Sequence, residues 1–572
     1  MLYKKKKILS GLSSIALSLL LFTGCGSTSA EIPSDAGSAS NESQSDSSVL
    51  RYAVASSPKG LFSPLLSNTT YDNNVNNLVY SPLILLDENN EYKPGLAEKY
   101  EFSDDNLTIT FHLRKGIKWH DGEPFTADDV LFTFTSMADP NYTGSRFNEI
   151  SKIVGAQDYH DGKADSISGI KVIDENTISF TYTEVFAPSL SNFSQRGIIP
   201  KHIWSKVNIA DWENSSELLN KPIGTGPYKF VEFKPDQYVE LERNEDYFGG
   251  APKIEKFIFK VTNTETELSE LAKGDLDIVT LTSTKEEDFK MLKDAGIKIE
   301  EKPSANYQFL TMNSNKEFFK DKRVRQAITY AINREGMAKS LIGEHGQVVN
   351  APISLAGWAY PESGLNTYDY SVDKAKSLLN EAGWTEKDGV LQKDGVKFEV
   401  DMLVPTGNKV REQSAPIIQQ NLKDVGITVN ISTMDIASAM AKTHGEGDYD
   451  MGLFGFTLEV DPGDADRYWA SSIANGSQFN FSNFINTQSD ELLDKATKTI
   501  DKNERKKIYA EWGKLINEEA PYVFLYSQND IRAYNPKLEG YTYSAYSVFP
   551  GIENWTISKL SLIHISEPTR RV

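Results

Sequence analysis

The most informative segment of the chain runs Phe111-His112-Leu113-Arg114-Lys115-Gly116-Ile117-Lys118-Trp119-His120-Asp121-Gly122-Glu123-Pro124-Phe125-Thr126-Ala127-Asp128-Asp129-Val130. Asp121 and Gly122 form a turn pair, and Thr126 suits the N-cap of a helix that begins at the next residue. Two acidic residues then occupy the first helical turn, where they interact favourably with the helix dipole. The segment is therefore predicted to be a folding element, a turn followed by a capped helix.

Outward from this segment, strands and helices mix without strict alternation. Apolar residues alternate with polar ones over residues 107–113 and 178–182, which predicts two half-buried strands. Residues 501–519 open with an acidic capping box and predict a packed helix. A second helix is predicted over residues 416–425, ending at Gly426. The mixture predicts an α/β protein with mixed sheets.

Composition narrows the class of protein. A chain of 572 residues is too long for one hydrophobic core and is expected to divide into two to four lobes. A net charge of -20 argues against nucleic acid as a partner and favours a monomer kept soluble by self-repulsion. The single cysteine, Cys25, allows neither an intramolecular disulfide nor a cysteine-based zinc site.

The N-terminal region has the features of a secretion signal. Lysines at 4–7 form a positive n-region, and residues 8–22 form an apolar h-region before small residues typical of a cleavage site. The sequence Leu21-Phe22-Thr23-Gly24-Cys25 resembles the lipobox of bacterial lipoproteins, in which the cysteine is acylated. We therefore expect a signal peptide over residues 1–24. Residues 25–48 would then be the lipidated cysteine and a flexible Ser-rich tether.

Several motifs besides the segment 111–130 identify a family. They are Pro94-Gly95-Leu96-Ala97-Glu98, Gly224-Thr225-Gly226-Pro227-Tyr228, Arg325-Gln326-Ala327-Ile328 and Ala520-Pro521-Tyr522-Val523. Together they resemble the family 5 extracellular solute-binding proteins, the oligopeptide, dipeptide and nickel binders of ABC importers. The resemblance extends from about residue 50 to residue 558.

The resemblance implies a two-lobed periplasmic-binding-protein fold of type II, like the large cluster C proteins, with a hinged cleft and an inserted domain. Two strands would cross between the lobes near residues 307–313 and 522–526. The last residues, 561–572, resemble translated sequencing adaptor and are expected to be a non-native tail. The expected divisions are lobe I (49–85, 196–303 and 523–558), inserted domain II (86–195) and lobe III (304–522).

The resemblance also implies how a peptide would be held. In peptide-binding members the ligand is extended and its main chain bonds to the protein, which is β-augmentation. The corresponding stretch here is Gly455-Phe456-Thr457-Leu458-Glu459-Val460-Asp461-Pro462. Gly455 and Thr457 match the positions whose main-chain groups contact the peptide. Lys59 and Gly60 match a region of the first lobe that contacts it from the other side.

The same stretch departs from the family pattern at two positions. Phe456 stands where Trp is usual, and Glu459 stands where an Asp would pair with the α-ammonium of the peptide. Glu459 keeps the negative charge on a longer side chain. Asp461 is the alternative partner for the ammonium, and both acids could instead be solvated loop residues.

The sequence gives less support to other functions. It contains no Gly-x-Ser-x-Gly, HExxH or Walker motif, so we expect neither an enzyme nor a cofactor. His112 and His120 lack metal-ligand spacing and are interpreted as surface histidines. A nickel chelate or an oligosaccharide, the latter stacking on Trp358 or Trp469, stays an alternative ligand. A surface adhesin or chaperone-like protein is the alternative of a different class.

The expected partners follow from this interpretation. They are a small peptide, the transmembrane permease subunits of an ABC importer, and the membrane through the lipid on Cys25. The expected location is the outer face of the cell membrane, or the periplasm.

Overall fold

A computed structural model describes residues 48–444, 447–476 and 479–558. The predicted signal peptide, Cys25, the tether up to residue 47 and the tail 561–572 lie outside the described residues. In the described ranges, no helix combines the length and apolar character that a membrane span needs.

Most strands belong to three sheets. In chain order the strands are β1 (Val49–Val54), β2 (Ile84–Leu86), β3 (Tyr92–Pro94), β4 (Ala97–Phe102), β5 (Thr108–Leu113), β6 (Ile170–Asp174), β7 (Thr177–Thr181), β8 (Tyr228–Lys234), β9 (Tyr238–Arg243), β10 (Lys256–Val261), β11 (Ile278–Leu281), β12 (Lys298–Lys302), β13 (Asn306–Met312), β14 (Gly346–Val348), β15 (Thr385–Lys387), β16 (Val390–Lys393), β17 (Val396–Lys397), β18 (Glu399–Pro405), β19 (Thr428–Met434), β20 (Met451–Thr457), β21 (Tyr522–Gln528), β22 (Asp530–Tyr534), β23 (Leu538–Glu539) and β24 (Thr556–Ile557).

The helices cover the faces of these sheets. In chain order they are α1 (Thr70–Val79), α2 (Ala127–Met137), α3 (Ala156–His160), α4 (Ser189–Gln195), α5 (Lys201–Trp204), α6 (Ser216–Leu219), α7 (Glu267–Lys273), α8 (Glu286–Asp294), α9 (Lys322–Ala331), α10 (Arg334–Ile342), α11 (Val372–Glu381), α12 (Lys409–Lys423), α13 (Ile436–Thr443), α14 (Asp466–Trp469), α15 (Thr487–Lys498) and α16 (Lys502–Glu519).

A seven-stranded and a six-stranded sheet form the two large layers. Their strand orders are β12-β22-β11-β1-β10-β9-β8 and β14-β21-β13-β20-β18-β19. Both sheets are mixed. In the seven-stranded sheet β10 pairs parallel with β1 and antiparallel with β9, and in the six-stranded sheet β18 pairs parallel with β19 while β13 pairs antiparallel with β20. The prediction of mixed sheets in an α/β protein is confirmed.

The six-stranded sheet is buried on both faces. On β21, Phe524 packs into the aromatic core on one face, and Val523 packs into the aliphatic core on the other. On β13, Phe309 and Leu310 divide in the same way. A strand covered on both sides needs a continuous apolar run, which explains the sequence of β21.

Two chain crossings connect the large sheets. The antiparallel pair β12 and β22 in the seven-stranded sheet continues as the antiparallel pair β13 and β21 in the six-stranded sheet. The chain changes sheet at residues 303–305 and again at Asn529. The expected boundary at residue 523 was therefore misplaced, because residues 523–528 pair in the six-stranded sheet. The polar run Gln528-Asn529-Asp530 marks where the chain leaves it.

The segment between β3 and α4 contains the informative stretch of the sequence. Strands β4-β5-β7-β6 form an antiparallel sheet, against which α2 packs. Thr126 caps α2, and Asp129 completes a reciprocal capping box. The strands predicted at 107–113 and 178–182 are confirmed as β5 and β7 to within one residue.

The two predicted C-terminal helices differ in their outcome. Asp501 accepts a hydrogen bond from the Glu504 N–H at 2.9 Å, and α16 follows as predicted. The predicted start of the second helix at residue 416 was wrong. Helix α12 begins at Lys409 and contains Pro416 in its interior. Asn408 provides the N-cap. The stop at Gly426 is correct, since this glycine adopts a φ of +83°.

Candidate functional site: a cleft between the two large sheets

A cleft of about 600 Å³ lies between the two large sheets and is the candidate binding site. One wall comes from α1 and from segments near residues 85–94, 194–197 and 247–249. Residues 545–553, whose Phe549 and Ile552 share a core with α1, continue this wall, and residues 457–460, at the end of β20, form the other wall. The volume lies within the range typical of small-molecule and peptide pockets.

Several contacts join residues 86–195, the expected inserted domain, to the lobe that contains the six-stranded sheet. The Ala187 N–H donates to Thr497 O at 2.8 Å, and Lys498 pairs with Glu184 at 3.1 Å. Lys502 pairs with Glu91 at 2.8 Å. These contacts hold the two walls together, and the ion pairs are exposed enough to break at low energetic cost.

Strand β20 has one free edge beside the cleft. On one side it pairs with β13 along its whole length, and Leu458 continues that ladder by donating its N–H to Ala305 O at 3.0 Å. On the other side, β18 pairs with β20 only at Met451 and Gly452. Beyond Gly452, none of the described strands pairs with this edge.

The hydrogen-bond parity of β20 determines which residues face the free edge. Because Leu458 bonds to the β13 side, Phe456 and Phe454 also turn their main-chain groups toward β13. Gly455 and Thr457 therefore direct their N–H and C=O groups toward the free edge. Thr457 also lines the cleft. These are the two positions singled out by the family resemblance.

Phe456 belongs to the core instead of the cleft. It is 8% exposed and packs against Phe309 and Tyr468 at ring-centroid distances of 4.8 and 4.4 Å. The expectation that it contacts the ligand is not supported by this position. Its ring keeps the far end of β20 anchored while Thr457, the next residue, is exposed.

Asp461 is committed to a structural ion pair. It is 6% exposed, and its two oxygens accept hydrogen bonds from the Arg505 guanidinium at 2.6 and 2.7 Å. The Gly463 N–H also donates to it, at 2.9 Å. This carboxylate raises the pKa of Arg505 above its usual value, against the opposing effect of burial. Because Arg505 already neutralises this buried carboxylate, the position of Asp461 does not support the expectation that it pairs with a ligand ammonium.

Glu459 is half-buried and lines the cleft. Its charge reaches Arg196, whose guanidinium also makes two hydrogen bonds of 2.6 Å to Glu149. Burial disfavours the charged form of Arg196, but Glu149 and then Glu459 raise its pKa overall. Arg146 is the next cation near Glu459. Glu459 thus keeps its carboxylate at the cleft without a direct ion pair in the described structure.

Sequence reasoning missed Asp464, which lies in a short 3-10 turn at Pro462–Asp464. Its Oδ2 atom is buried and has no hydrogen-bond partner among the described residues. Burial, and then the charge of Glu459, raise the pKa of this carboxyl well above its usual range. Asp464 and Glu459 together line a small cavity of about 10 Å³ beside the cleft. The sequence signal that could have indicated Asp464 is its closeness to two other acids, Glu459 and Asp461, within six residues.

Lys59 and Gly60 support α1 instead of lining the cleft. Their N–H groups donate to the Asp72 carboxylate at 3.1 and 2.9 Å, and the Leu61 N–H adds a third bond at 3.0 Å. Asp72 is fully buried in the first turn of α1. Neither residue lines the cleft, so their position does not support the expectation of direct ligand contact.

His120 is likewise a framework residue. Its Nδ1 accepts from the Gly224 N–H at 3.2 Å, and its Nε2 donates to Gly226 O at 3.1 Å. Burial lowers the pKa of His120 to about 4, which keeps the ring neutral. The interpretation as a surface histidine was wrong. The loop that it clamps carries the Gly-Thr-Gly-Pro motif of the sequence.

The alternative sites have less structural support. Trp469 is 2% exposed and packs against Tyr522, while Trp358 lies under the Arg505 guanidinium at 5.3 Å. Neither indole lines the 600 Å³ cleft. Within the described ranges, no group of three His, Cys, Asp or Glu side chains is arranged to hold a metal ion.

Comparisons with known proteins agree with the sequence motifs. Residues 91–478 match the model of the bacterial extracellular solute-binding proteins, family 5. The oligopeptide-binding protein AppA of Bacillus subtilis is 31% identical over 562 residues, which cover 97% of this chain and all of that protein. The dipeptide-binding protein of Escherichia coli is 28% identical over 93% of this chain and 96% of its own length.

Solved structures give the same result. AppA of Bacillus subtilis in complex with a nonapeptide superposes with a TM-score of 0.73 at 32% identity, covering 89% of this chain and 99% of that one. NikZ of Campylobacter jejuni in complex with Ni(L-His) has a TM-score of 0.73 at 28% identity, covering 89% and 100%. The two-lobed fold with a hinged cleft is thereby confirmed. The chain belongs to family 5 of the bacterial extracellular solute-binding proteins, which bind solutes for ABC importers and are not enzymes.

Proposed function

We propose that this protein captures oligopeptides outside the cytoplasm and delivers them to the permease of an ABC importer, held at the membrane by acyl chains on Cys25. The observation that carries the choice of ligand is the free edge of β20 beside the cleft. An extended peptide can add to this edge through the N–H and C=O groups of Gly455 and Thr457. Such main-chain bonding accepts many side chains.

The α-ammonium of the peptide would bind between Glu459 and Asp464. Both carboxyl groups line the small cavity at the end of β20, and Asp464 has a buried oxygen with no partner in the described part of the chain. A cation placed there would lie against Glu459 and would favour the charged form of Asp464, which burial disfavours. Removing a buried charge from its partner is costly, so an acetylated peptide would bind less well.

Closure would follow from the two crossings. Residues 303–305 and Asn529 form the proposed hinge, with the seven-stranded sheet in lobe I and the six-stranded sheet in lobe III. The ligand contributes only its differential affinity for the closed state. The exposed ion pairs of Lys498 and Lys502 across the walls are weak enough to open again for release.

The free edge can be tested with one main-chain change. Thr457→Pro removes an N–H that the β13 ladder does not use, so the fold should tolerate it. Calorimetric titration of wild type with free peptides of two to nine residues should give binding. The variant should lose about tenfold in affinity, equivalent to one hydrogen bond.

Thr457→Val is the matched control, because it keeps the N–H and should bind peptides as the wild type does. Acetylated peptides, nickel chelates and oligosaccharides are titrated alongside. Binding of a nickel chelate or a sugar with no response to any peptide would reject oligopeptides as the ligand. Equal affinity of both Thr457 variants would reject the β20 edge as the peptide site.

A further inference from the structure

Helix α1 presents a row of asparagine side chains to the cleft. Asn73, Asn76 and Asn77 all line it, at the i, i+3 and i+4 spacing that places residues on one helical face. Asn76 is 4% exposed, and neither its Oδ1 nor its Nδ2 has a hydrogen-bond partner among the described residues. A buried amide that lacks both bonds is rare and energetically unfavourable, and in a ligand cleft it indicates a missing partner.

The helix that carries this amide is fixed at both ends. At its start, Thr69 caps the helix and Asp72 binds the main chain of residues 59–61. At its end, the Gly226 N–H donates to Val79 O at 2.8 Å. A Cβ at Gly224 would lie 1.9 Å from the same Val79 oxygen, so this approach requires glycine. A helix held in this way keeps Asn76 in place for a ligand.

The opposite wall of the cleft suggests what the partner is. A peptide added to β20 has every second residue bonded to Gly455 or Thr457, and the alternate residues turn their N–H and C=O groups away from that strand. Those groups need partners once the cleft closes and excludes water. A side-chain amide offers one acceptor and one donor group, which match the N–H and C=O of a single peptide residue.

We propose that Asn76 binds the main chain of the ligand on the edge that faces away from β20, with Asn73 and Asn77 flanking it. This assignment rests on the proposed peptide ligand and adds a second line of main-chain recognition, on the opposite wall. It makes the asparagine face selective for unmodified peptide groups and indifferent to side chains. Asn76 is thus a specificity-determining residue for the backbone of the ligand.

The test combines a protein variant with a modified ligand. Asn76→Leu is similar in size and removes both polar atoms. The probes are a free nonapeptide and a set of its analogues, each with one backbone N-methyl group. Calorimetry on the full chain in detergent gives affinities, and thermal denaturation without peptide gives stability. Asn74→Leu is the matched control, since Asn74 is buried on the same helix but does not line the cleft.

Asn76→Leu is expected to lower the affinity for peptide without lowering the stability of the ligand-free protein. Asn76→Leu should bind the nonapeptide about tenfold more weakly or worse, while its melting temperature without peptide stays equal or rises, because an unsatisfied buried amide is gone. One N-methyl position should weaken binding to wild type but not to this variant. Asn74→Leu should keep the wild-type affinity.

Two results would overturn the assignment in different ways. Affinity of Asn76→Leu within twofold of wild type, with every N-methyl penalty preserved, would remove Asn76 from the site and leave the peptide ligand intact. A wild-type protein that binds none of the peptides would reject the proposed function, and this inference with it.

Discussion

Two neighbouring regions of this molecule treat their polar groups in opposite ways. In the framework around α1 and the base of the acidic loop, Asp72, His120 and Asp461 have their hydrogen-bonding atoms occupied. A few residues away, Asn76 on the cleft and Asp464 on the small cavity beside it have buried atoms with no partner among the described residues. The difference separates residues that hold the fold from the residues that we propose bind the ligand.

Asp461 and Asp464 make the comparison sharpest, because they stand three residues apart. Asp461 lies against Arg505 with two short hydrogen bonds, whereas Asp464 lies near Glu459 and other acids without an ion pair of its own in the described structure. Proximity in sequence therefore gives no information about role. The decisive quantity is whether the buried charge has a fixed counter-charge.

The largest expected effect comes from breaking the framework at Asp461. Asp461→Ala leaves the Arg505 guanidinium buried without its counter-charge, so the free energy of unfolding should fall by about 3–5 kcal/mol. Urea denaturation followed by tryptophan fluorescence measures this. The double variant Asp461→Ala with Arg505→Met should recover part of the loss. A loss below 1 kcal/mol in the single variant would show that the pair is not structural.

The second effect, of intermediate size, is the pH dependence that His120 gives to the free energy of unfolding. The folded protein keeps His120 neutral with a pKa of about 4, whereas the unfolded chain protonates it near 6.5. The unfolded state therefore binds the proton first, and stability falls as the pH drops from 6.5 to 4. Above pH 6.5 this histidine contributes no pH dependence. The contribution amounts to about 3 kcal/mol.

The measurement is the free energy of unfolding at pH 7 and pH 4 for wild type and His120→Gln. Gln does not titrate in this range, so the loss between the two pH values should be smaller in the variant by about 3 kcal/mol. Other titrating groups cancel in this difference. An equal loss in both proteins would mean that His120 is protonated in the folded state and does not clamp the Gly224–Gly226 loop as a neutral ring.

The parts of this structure that could be predicted from sequence are the local ones. Thr126 with Asp129, and Asp501 with Glu504, place helix starts through bonds that span three residues. The role of Asp461 depends on Arg505, which lies 44 residues away in α16. No local pattern contains that information, so from the sequence alone Asp461 was a ligand-binding candidate.

The same limit applies to β20. Its apolar sequence indicates a buried strand, and the family resemblance singled out Gly455 and Thr457. Which edge of the strand is free depends on β18 separating after Gly452, a feature of the sheet as a whole. Asn76 was missed for a similar reason, since an asparagine in a helix acquires meaning only from what surrounds it. Sequence reasoning recovered the fold better than the site for this reason.

The smallest predicted effect is at Asp464, where a substitution is expected to raise the free energy of unfolding, whereas Asp461→Ala is expected to lower it. Burial and the charge of Glu459 raise the pKa of its carboxyl, so ionisation at pH 7 opposes folding. This group contributes its full stability below the unfolded pKa of 3.8 and loses it as the pH rises through the folded pKa. Asp464→Asn should therefore stabilise the ligand-free protein at pH 7, by about 1 kcal/mol, and have no such effect at pH 3.5.

The same variant should weaken binding of free peptides and leave acetylated peptides unchanged, because only the former carry an ammonium for Asp464 to meet. Thermal denaturation at both pH values and paired titrations measure the two effects. Destabilisation by Asp464→Asn at pH 7 would place this residue with Asp461 in the framework. The contrast between the two regions depends on this result, because Asp464 is the acid through which a ligand would supply the counter-charge that Arg505 supplies to Asp461.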